Sequence, residues 1–143
     1  MIQIHNSLTG EKQVLQPLEP GHVRMYCCGT TVYDYFHVGN ARMLVVFDMV
    51  SRYLRNRGLR VTYVRNITDV DDKIIRRAAE AGIDWRALAD RYTAALHEDL
   101  ALLGCLPPDI EPRASAYIAQ MLTMIGQLIE RDYAYVASNG DVM

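Results

Sequence analysis

The chain opens with a short alternation of apolar and polar residues on both sides of a turn. Ile2 and Ile4 precede a Leu-Thr-Gly-Glu run at residues 8–11, and Val14 and Leu15 follow it. Alternation with period two is typical of half-buried strands, and a glycine-containing run between two such segments favours a turn. The pattern predicts a small N-terminal β-hairpin.

A strand, a helix and a second strand follow. Residues 23–28 (VRMYCC) form a short apolar run that a glycine stops, which predicts a buried strand. Apolar positions then recur with helical spacing from residue 42 to residue 57, and Gly58 lies where a helix C-terminal glycine belongs. Residues 59–65 (LRVTYVR) are β-branched and aromatic, which favours a strand. This order predicts two parallel strands joined by a right-handed helical crossover over residues 41–57.

Three further helices are predicted beyond this unit. The first spans residues 69–81 and ends at Gly82, and the second spans residues 84–103 with one apolar side. A Leu-Pro-Pro-Asp run predicts a rigid connector, after which a third helix starts near Pro112. The final residues, 133–143, favour a strand, a turn and the start of another strand.

Length and composition indicate one ordinary globular domain. The 143 residues are 50% hydrophobic and 22% charged, and the net charge of -2 gives no global basic field for nucleic acid. No apolar run approaches the roughly 18 residues that span a membrane, and the N-terminus lacks the order of a signal peptide. Three cysteines, two of them adjacent, make no disulfide framework, which favours the reducing cytoplasm.

The segment between the first predicted strand and its helix, residues 28–40, is the candidate for ligand binding. Ligands of open parallel sheets bind beyond the carboxyl ends of the strands, where a helix N-terminus favours an anion. His37 and Asn40 are three residues apart, so both can face one ligand, and Gly39 lets a flat base or ribose approach the backbone. The Walker spacing is absent. On this string alone, a capped helix with a hydrogen-bonded histidine is the simpler interpretation.

Two longer blocks resemble a known family. MYCCGTTVYD (residues 25–34) followed by HVGN (residues 37–40) resembles the first signature of class I aminoacyl-tRNA synthetases, specifically of the cysteine enzyme. YVRNITDVDDKII (residues 63–75) resembles a second block of the same family, and the resemblance continues to NGDVM at residues 139–143. The signature is often written His-Ile-Gly-His; its last position here is Asn40, which is similar to many cysteine-specific members.

The resemblance implies an α/β fold and a reaction. Residues 1–119 would be the first half of a Rossmann-like class I synthetase nucleotide-binding domain, a parallel sheet with flanking helices. Residues 120–143 would start an inserted connective segment. The implied enzyme is a cytoplasmic monomer that uses ATP with magnesium to convert L-cysteine into cysteinyl-adenylate and transfers it to the 3′ end of the tRNA for cysteine. Because the second class I signature, Lys-Met-Ser-Lys-Ser, is absent, we expect a truncated chain that is inactive alone.

The resemblance also implies roles for individual residues. His37 and Asn40 would be catalytic, steadying the charge that builds on the α-phosphate as the cysteine carboxylate attacks. The implied ATP-binding residues are Thr30, Thr31, Tyr33, His37, Gly39 and Asn40. The implied cysteine-binding residues are Gly29 and Thr68.

The adjacent cysteines are expected to differ. Neighbours in a strand point to opposite faces, and the resemblance makes Cys27 a packing residue and Cys28 a zinc ligand. The ordinary alternative for a free cysteine is a small buried hydrophobe. One cysteine cannot make a zinc site, so the other implied ligands lie beyond residue 143. A zinc-bound thiolate would separate cysteine from serine, because a serine hydroxyl is harder to deprotonate.

Polar residues after the second predicted strand have a simple structural interpretation. Thr68 and Asp71 match the T-x-x-D pattern of a capping box, and Asp69, Asp71 and Asp72 suit the positive end of the next helix. An Asp-x-Asp metal site is the minor alternative. His97 and Cys105, which lie in or after an amphipathic helix, are most simply structural.

Two other functions remain open at this point. One is a related ligase that activates cysteine with ATP but transfers it to an amino sugar in thiol biosynthesis. Residues 71–78 (DDKIIRRA) look more like the tRNA enzyme. The other is a nucleotide-binding module without catalysis. The sequence downstream of Met143 would separate the three.

Overall fold

The chain begins with the predicted hairpin. The structure, a computed structural model, describes residues 1–143. Strands β1 (Gln3–Asn6) and β2 (Glu11–Val14) pair antiparallel, with Gln3 opposite Val14 and Asn6 opposite Glu11. The Asn6 side chain accepts a hydrogen bond from the Leu8 N–H at 3.0 Å, so the turn is closed by its own first residue.

The predicted parallel βαβ unit is confirmed. Strands β3 (His22–Cys27) and β4 (Arg60–Arg65) pair in parallel with Cys27 opposite Arg65, and helix α1 (Val38–Asn56) joins them. Strand β3 ends one position before the predicted end, so Cys28 lies in the loop. Helix α1 begins at Val38 and therefore includes Asn40, whereas the apolar spacing placed its start after the HVGN motif.

One face of this sheet carries the core. Val23 and Cys27 of β3 and Val61 and Tyr63 of β4 are buried together with Leu54 of α1. Burying one such large apolar side chain stabilises the fold by about 1.5–3 kcal/mol. The opposite face is not covered in the same way, because Tyr26, which alternates with the buried positions, is 64% exposed.

The sheet is wider than the sequence indicated. Past the end of β3, Thr31 pairs in parallel with Thr68, beyond the end of β4. On the other side of β4, Val64 pairs with Ile110 and Ile67 pairs with Arg113, also in parallel. The stretch after the predicted connector therefore acts as a third strand. The predicted helix beyond the connector is present, but its start near Pro112 was misplaced: this helix, α4, spans Ile118–Glu130 and follows a 3-10 turn at Ala114–Tyr117.

Two helices pack as a pair beside the sheet. Helix α2 (Asp72–Ala81) ends at Gly82, which has a left-handed φ of 66°, as predicted. Helix α3 (Trp85–Leu102) is capped by the Asp84 carboxylate, which accepts from Arg86 N–H at 2.9 Å. Together with α1 they bury the larger core cluster: Val32, Leu44, Ile67, Ile74, Ala78, Leu88, Ala89, Tyr92, Leu96 and Leu100.

The predicted capping box at Thr68 was wrong. The cap of α2 is Asp71, whose carboxylate accepts from Lys73 N–H at 2.8 Å, and the helix begins at Asp72. Asp69 lies outside the helix and is 3% exposed. It accepts from the N–H and the hydroxyl of Ser115 at 2.9 and 2.6 Å, which fixes the turn that precedes α4.

The C-terminal residues form the predicted antiparallel turn. Val136 pairs with Val142, and Tyr135 and Met143 exchange two backbone hydrogen bonds of 2.9 Å. The division into residues 1–119 and 120–143 stays a prediction; α4 runs across it. No helix of the chain combines the length and apolarity required to cross a bilayer.

Candidate nucleotide-binding cleft

A cleft of about 220 Å³ lies beyond the carboxyl end of β3, where the chain turns into α1. Five residues that the sequence nominated for ATP line it: Thr30, Thr31, Tyr33, His37 and Asn40. Tyr92 of α3 lines it too, with its ring edge-to-face against Tyr35 at 5.4 Å between centroids. The structure therefore brings residues from the loop, α1 and α3 to one concave surface.

His37 is the N-terminal cap of α1. Its backbone is extended, with φ -92° and ψ 171°, and its Nδ1 accepts a hydrogen bond from Gly39 N–H at 3.0 Å. The simpler sequence interpretation, a capped helix with a hydrogen-bonded histidine, is thus correct as local structure. It does not exclude a chemical role, because a neutral imidazole that accepts at Nδ1 carries its proton on Nε2. Nε2 remains a donor for a ligand in the cleft.

The absence of a side chain at Gly39 leaves the space that the His37 ring occupies. A β-carbon at residue 39 would lie 2.7 Å from Cε1 and 3.0 Å from Nδ1 of the His37 ring. The sequence alone predicts that this glycine admits a base or a ribose. In the structure its bare α-carbon accommodates the capping ring, which holds the imidazole at the edge of the cleft.

Gly29 and Thr68 meet through Asn66, which sequence analysis did not single out. Asn66 Oδ1 accepts from Gly29 N–H at 2.8 Å, and its Nδ2 donates to Thr68 Oγ1 at 3.2 Å. A β-carbon on Gly29 would overlap the Asn66 backbone carbonyl, which lies 2.7 Å away at its carbon and closer at its oxygen. Neither Gly29 nor Thr68 lines the cleft itself. They form a strand-end junction next to Thr30 and Thr31, since Thr68 N–H donates to Thr30 O at 3.2 Å.

The two adjacent cysteines differ as expected. Cys27 is buried against Met43, with 3.3 Å between the sulfurs, whereas Cys28 is exposed. Burial raises the pKa of the Cys27 thiol, so it stays protonated and unreactive at neutral pH. No group of three His, Cys, Asp or Glu side chains in the chain is arranged to hold a metal ion. The residues of this chain therefore do not form a zinc site around Cys28.

The structure adds Lys73 to the cleft. It lies in the first turn of α2, lines the cleft, and places Nζ 5.6 Å from the centroid of the Tyr33 ring. Its position in the sequence, 33 residues after Asn40 on a different element, gave no signal of this proximity.

His97 and Cys105 do not line the cleft. The His97 ring contacts the Glu111 carboxylate at 2.6 Å, and the same carboxylate pairs with the buried Arg65 at 2.7 Å.

Known proteins match the chain over most of its length. The family described as tRNA synthetases class I (C) catalytic domain matches residues 14–143. The chain is 66% identical over 142 residues to a cysteine–tRNA ligase of Thioalkalivibrio sulfidiphilus, 62% to that of Alkalilimnicola ehrlichii and 63% to that of Methylococcus capsulatus. Each match covers 99% of this chain but only 30–31% of the relative.

The chain belongs to the class I tRNA synthetase (C) catalytic-domain family. The resemblance seen in the two sequence blocks and the expected α/β class are confirmed by this match. Because the chain spans about a third of the length of its curated relatives, the activity, substrates and partners of the whole protein are matters of proposal.

Proposed function

We propose that the protein containing this chain activates L-cysteine with ATP and transfers it to the 3′ end of the tRNA for cysteine. The observation that carries the proposal is the cleft at the carboxyl end of β3. It gathers Thr30, Thr31, Tyr33, His37 and Asn40, to which the resemblance of the first signature assigns ATP binding.

The first step is adenylate formation. A carboxylate oxygen of cysteine attacks the α-phosphorus of ATP, and the bond to the bridging oxygen breaks so that pyrophosphate leaves with the electron pair. Negative charge builds on the α-phosphate oxygens in the transition state. The Nε2–H of His37 and the side-chain amide of Asn40 are donors on the cleft surface that can meet this charge. Magnesium accompanies the triphosphate as part of the substrate.

The hydrogen bond from Gly39 to His37 matters for this step. It fixes both the tautomer and the ring orientation before ATP arrives, so that the donor does not have to reorganise during the reaction. Asn40 lies three residues after the cap, in the first turn of α1, where the positive end of the helix dipole also favours phosphate.

The strand-end junction is the proposed site for the amino acid. The Gly29 N–H is engaged by Asn66, so its carbonyl is the group left to accept from the cysteine ammonium. Thr68 accepts from Asn66, so its own hydroxyl proton is free to donate to the cysteine carboxylate. In the second step a ribose hydroxyl at the 3′ end of the tRNA attacks the carbonyl carbon of the adenylate. The bond between that carbon and the phosphate oxygen breaks, AMP leaves with the electron pair, and the hydroxyl proton passes to the departing phosphate or to water.

Zinc is proposed only for the whole protein. Cys28 is exposed beside this junction and is one proposed ligand; a zinc site needs at least two more protein ligands, which this chain does not supply. By family resemblance we further propose a monomeric enzyme of the cytoplasm.

The test is a chimera in which this chain replaces the matched 31% of the Thioalkalivibrio enzyme. We expect it to charge tRNA with cysteine at a rate comparable to that of the parent enzyme and to discriminate against serine. Absence of charging under conditions where the parent is active would contradict the proposal. Transfer of activated cysteine to an amino sugar in preference to tRNA would replace it with the related ligase.

A further inference from the structure

Lysine is rare in this chain, and one of its two lysines lies in the candidate cleft. The lysines are Lys12, on the N-terminal hairpin, and Lys73, in the first turn of α2. Lys73 is the only lysine or arginine among the twelve residues that line the cleft. We propose that Lys73 binds the β- and γ-phosphates of ATP. This inference rests on the proposed function, which makes ATP the ligand of the cleft.

The charges around the cleft leave Lys73 available. The cleft has one carboxylate, Asp34, and it is already paired with Arg77 of α2 at 3.3 Å. Lys73 takes part in none of the ion pairs of the chain. Its ammonium lies over the Tyr33 ring, a contact worth about 0.5–1 kcal/mol at an exposed site. A triphosphate offers a stronger partner than this ring.

The position of Lys73 in its helix is also unusual. Cations are stabilising near the C-terminus of a helix and unfavourable near its N-terminus, by a few tenths of a kcal/mol up to about 1 kcal/mol. Lys73 lies in the first turn of α2, directly after the cap. Helix stability therefore does not account for a lysine at this place, whereas anion binding does.

The backbone of Lys73 is held while its side chain is free. The Asp71 carboxylate accepts from the Lys73 N–H at 2.8 Å, and the next residue, Ile74, is 0% exposed. The four-carbon stem can thus swing from a fixed point between the Tyr33 ring and a bound phosphate. A compact, strongly hydrated ammonium suits a phosphate chain, which needs charge rather than planar geometry.

Protection of Lys73 from acetylation tests its contact with the phosphates of ATP. Lys12 serves as the internal control. The 143-residue chain is treated with an amine-acetylating reagent, and the extent of modification of each lysine is read by mass spectrometry. We expect magnesium-ATP and tripolyphosphate to slow acetylation of Lys73 several-fold and to leave Lys12 unchanged. Adenosine at the same occupancy should not protect. Equal protection by adenosine would mean that the nucleoside covers Lys73, and it would overturn the proposal.

Two substitutions give an independent measurement. Lys73→Met should weaken ATP binding about tenfold, as measured by titration of amide NMR shifts, and leave adenosine binding unchanged. Lys73→Arg should retain ATP affinity within about threefold, since it keeps the charge, and Lys12→Met is the matched control. If ATP shifts the His37 and Asn40 resonances but Lys73→Met binds it normally, the role of Lys73 is wrong and the proposed function stands. If ATP at millimolar concentration shifts none of the cleft resonances, the cleft of this chain does not hold ATP and the proposal for Lys73 fails, whereas the chimera still decides the proposed function.

Discussion

The His37 ring lies against the α-carbon of Gly39 and accepts its N–H at 3.0 Å. These two residues of the signature therefore form one unit, in which the glycine provides both the donor and the space for the ring. The same hydrogen bond caps α1 and leaves the proton of the neutral ring on Nε2, and His37 is one of the residues that line the cleft. The structural role of His37 as the cap and its proposed chemical role can be separated by the choice of substitution.

We expect the cap to be measurable in the 143-residue chain. His37→Ala removes the acceptor for Gly39 N–H and should lower the free energy of unfolding by about 1 kcal/mol. His37→Asn should retain most of it, because asparagine is among the best helix caps. Urea denaturation of both variants against the parent chain checks this. Equal stability of the alanine variant and the parent would show that the cap contributes nothing.

Gly29→Ala should be the most damaging of the glycine substitutions. The new β-carbon would overlap the Asn66 carbonyl, and both partners are backbone, so neither can move without breaking the junction of β3 and β4. We expect a loss of about 3 kcal/mol or more of unfolding free energy.

Gly126→Ala provides the matched control for Gly29. A β-carbon at residue 126, inside α4, meets nothing within 4 Å. The substitution should stabilise the chain by up to about 1 kcal/mol, since alanine favours a helix interior. Similar effects of both substitutions in urea denaturation would contradict the close approach of Gly29 to Asn66.

Stability should fall in alkaline solution because of Tyr63. Burial raises its pKa from 10.0 to about 12 in the fold, so the unfolded phenol loses its proton first. The stability that the protonated Tyr63 phenol contributes is fully present below pH 10 and is lost as pH rises toward 12. The loss should be on the order of 1 kcal/mol near pH 11. Burial also raises the pKa of Cys27, which acts in the same direction.

Tyr63→Phe isolates this effect. The Tyr63 hydroxyl is buried without a hydrogen-bond partner, so its removal should leave stability at pH 7 unchanged or slightly higher. The variant should lose less stability than the parent between pH 9 and pH 11 in thermal unfolding experiments. An identical pH profile for the two proteins would show that Tyr63 does not titrate upon unfolding.

The isolated chain should retain no zinc. Cys28 is exposed, and the chain brings no second and third ligand to it. After dialysis against a weak chelator we expect metal analysis to find well below one zinc per chain, and alkylation to modify Cys28 faster than Cys27. Stoichiometric zinc that is lost in Cys28→Ser would show that other residues complete the site.

Local patterns were sufficient to predict the hairpin and the parallel βαβ unit, because strand and helix periods differ clearly over residues 23–65. Local patterns did not predict pairings between strands whose residues lie far apart in the sequence. The pairing of Ile110 with Val64 joins positions far apart in sequence, next to two prolines that favour a connector. The T-x-x-D pattern at Thr68 misled because Asp71 is itself a good cap.

In the candidate site too, residues of one contiguous segment could be predicted from the sequence, and residues from distant elements could not. The residues from Thr30 to Asn40 could be nominated because they form one contiguous segment that leads into α1 and resembles the first signature of the family. Asn66 and Lys73 could not, since they reach the site from the end of β4 and from α2. Only packing of these elements places an amide at Gly29 and an ammonium over Tyr33.

Cysteine-dependent ATP–pyrophosphate exchange by the chimera carrying His37→Asn tests the central claim most directly. The substitution keeps the cap and removes the Nε2 donor, so folding and ATP binding should change little. We predict an exchange rate constant lower by about 10²–10³, equivalent to about 2.7–4 kcal/mol, with the KM for ATP within a few-fold of the unsubstituted chimera. Exchange at the unsubstituted rate would show that His37 is only the cap of α1 and that the cleft does not activate the amino acid in the way described.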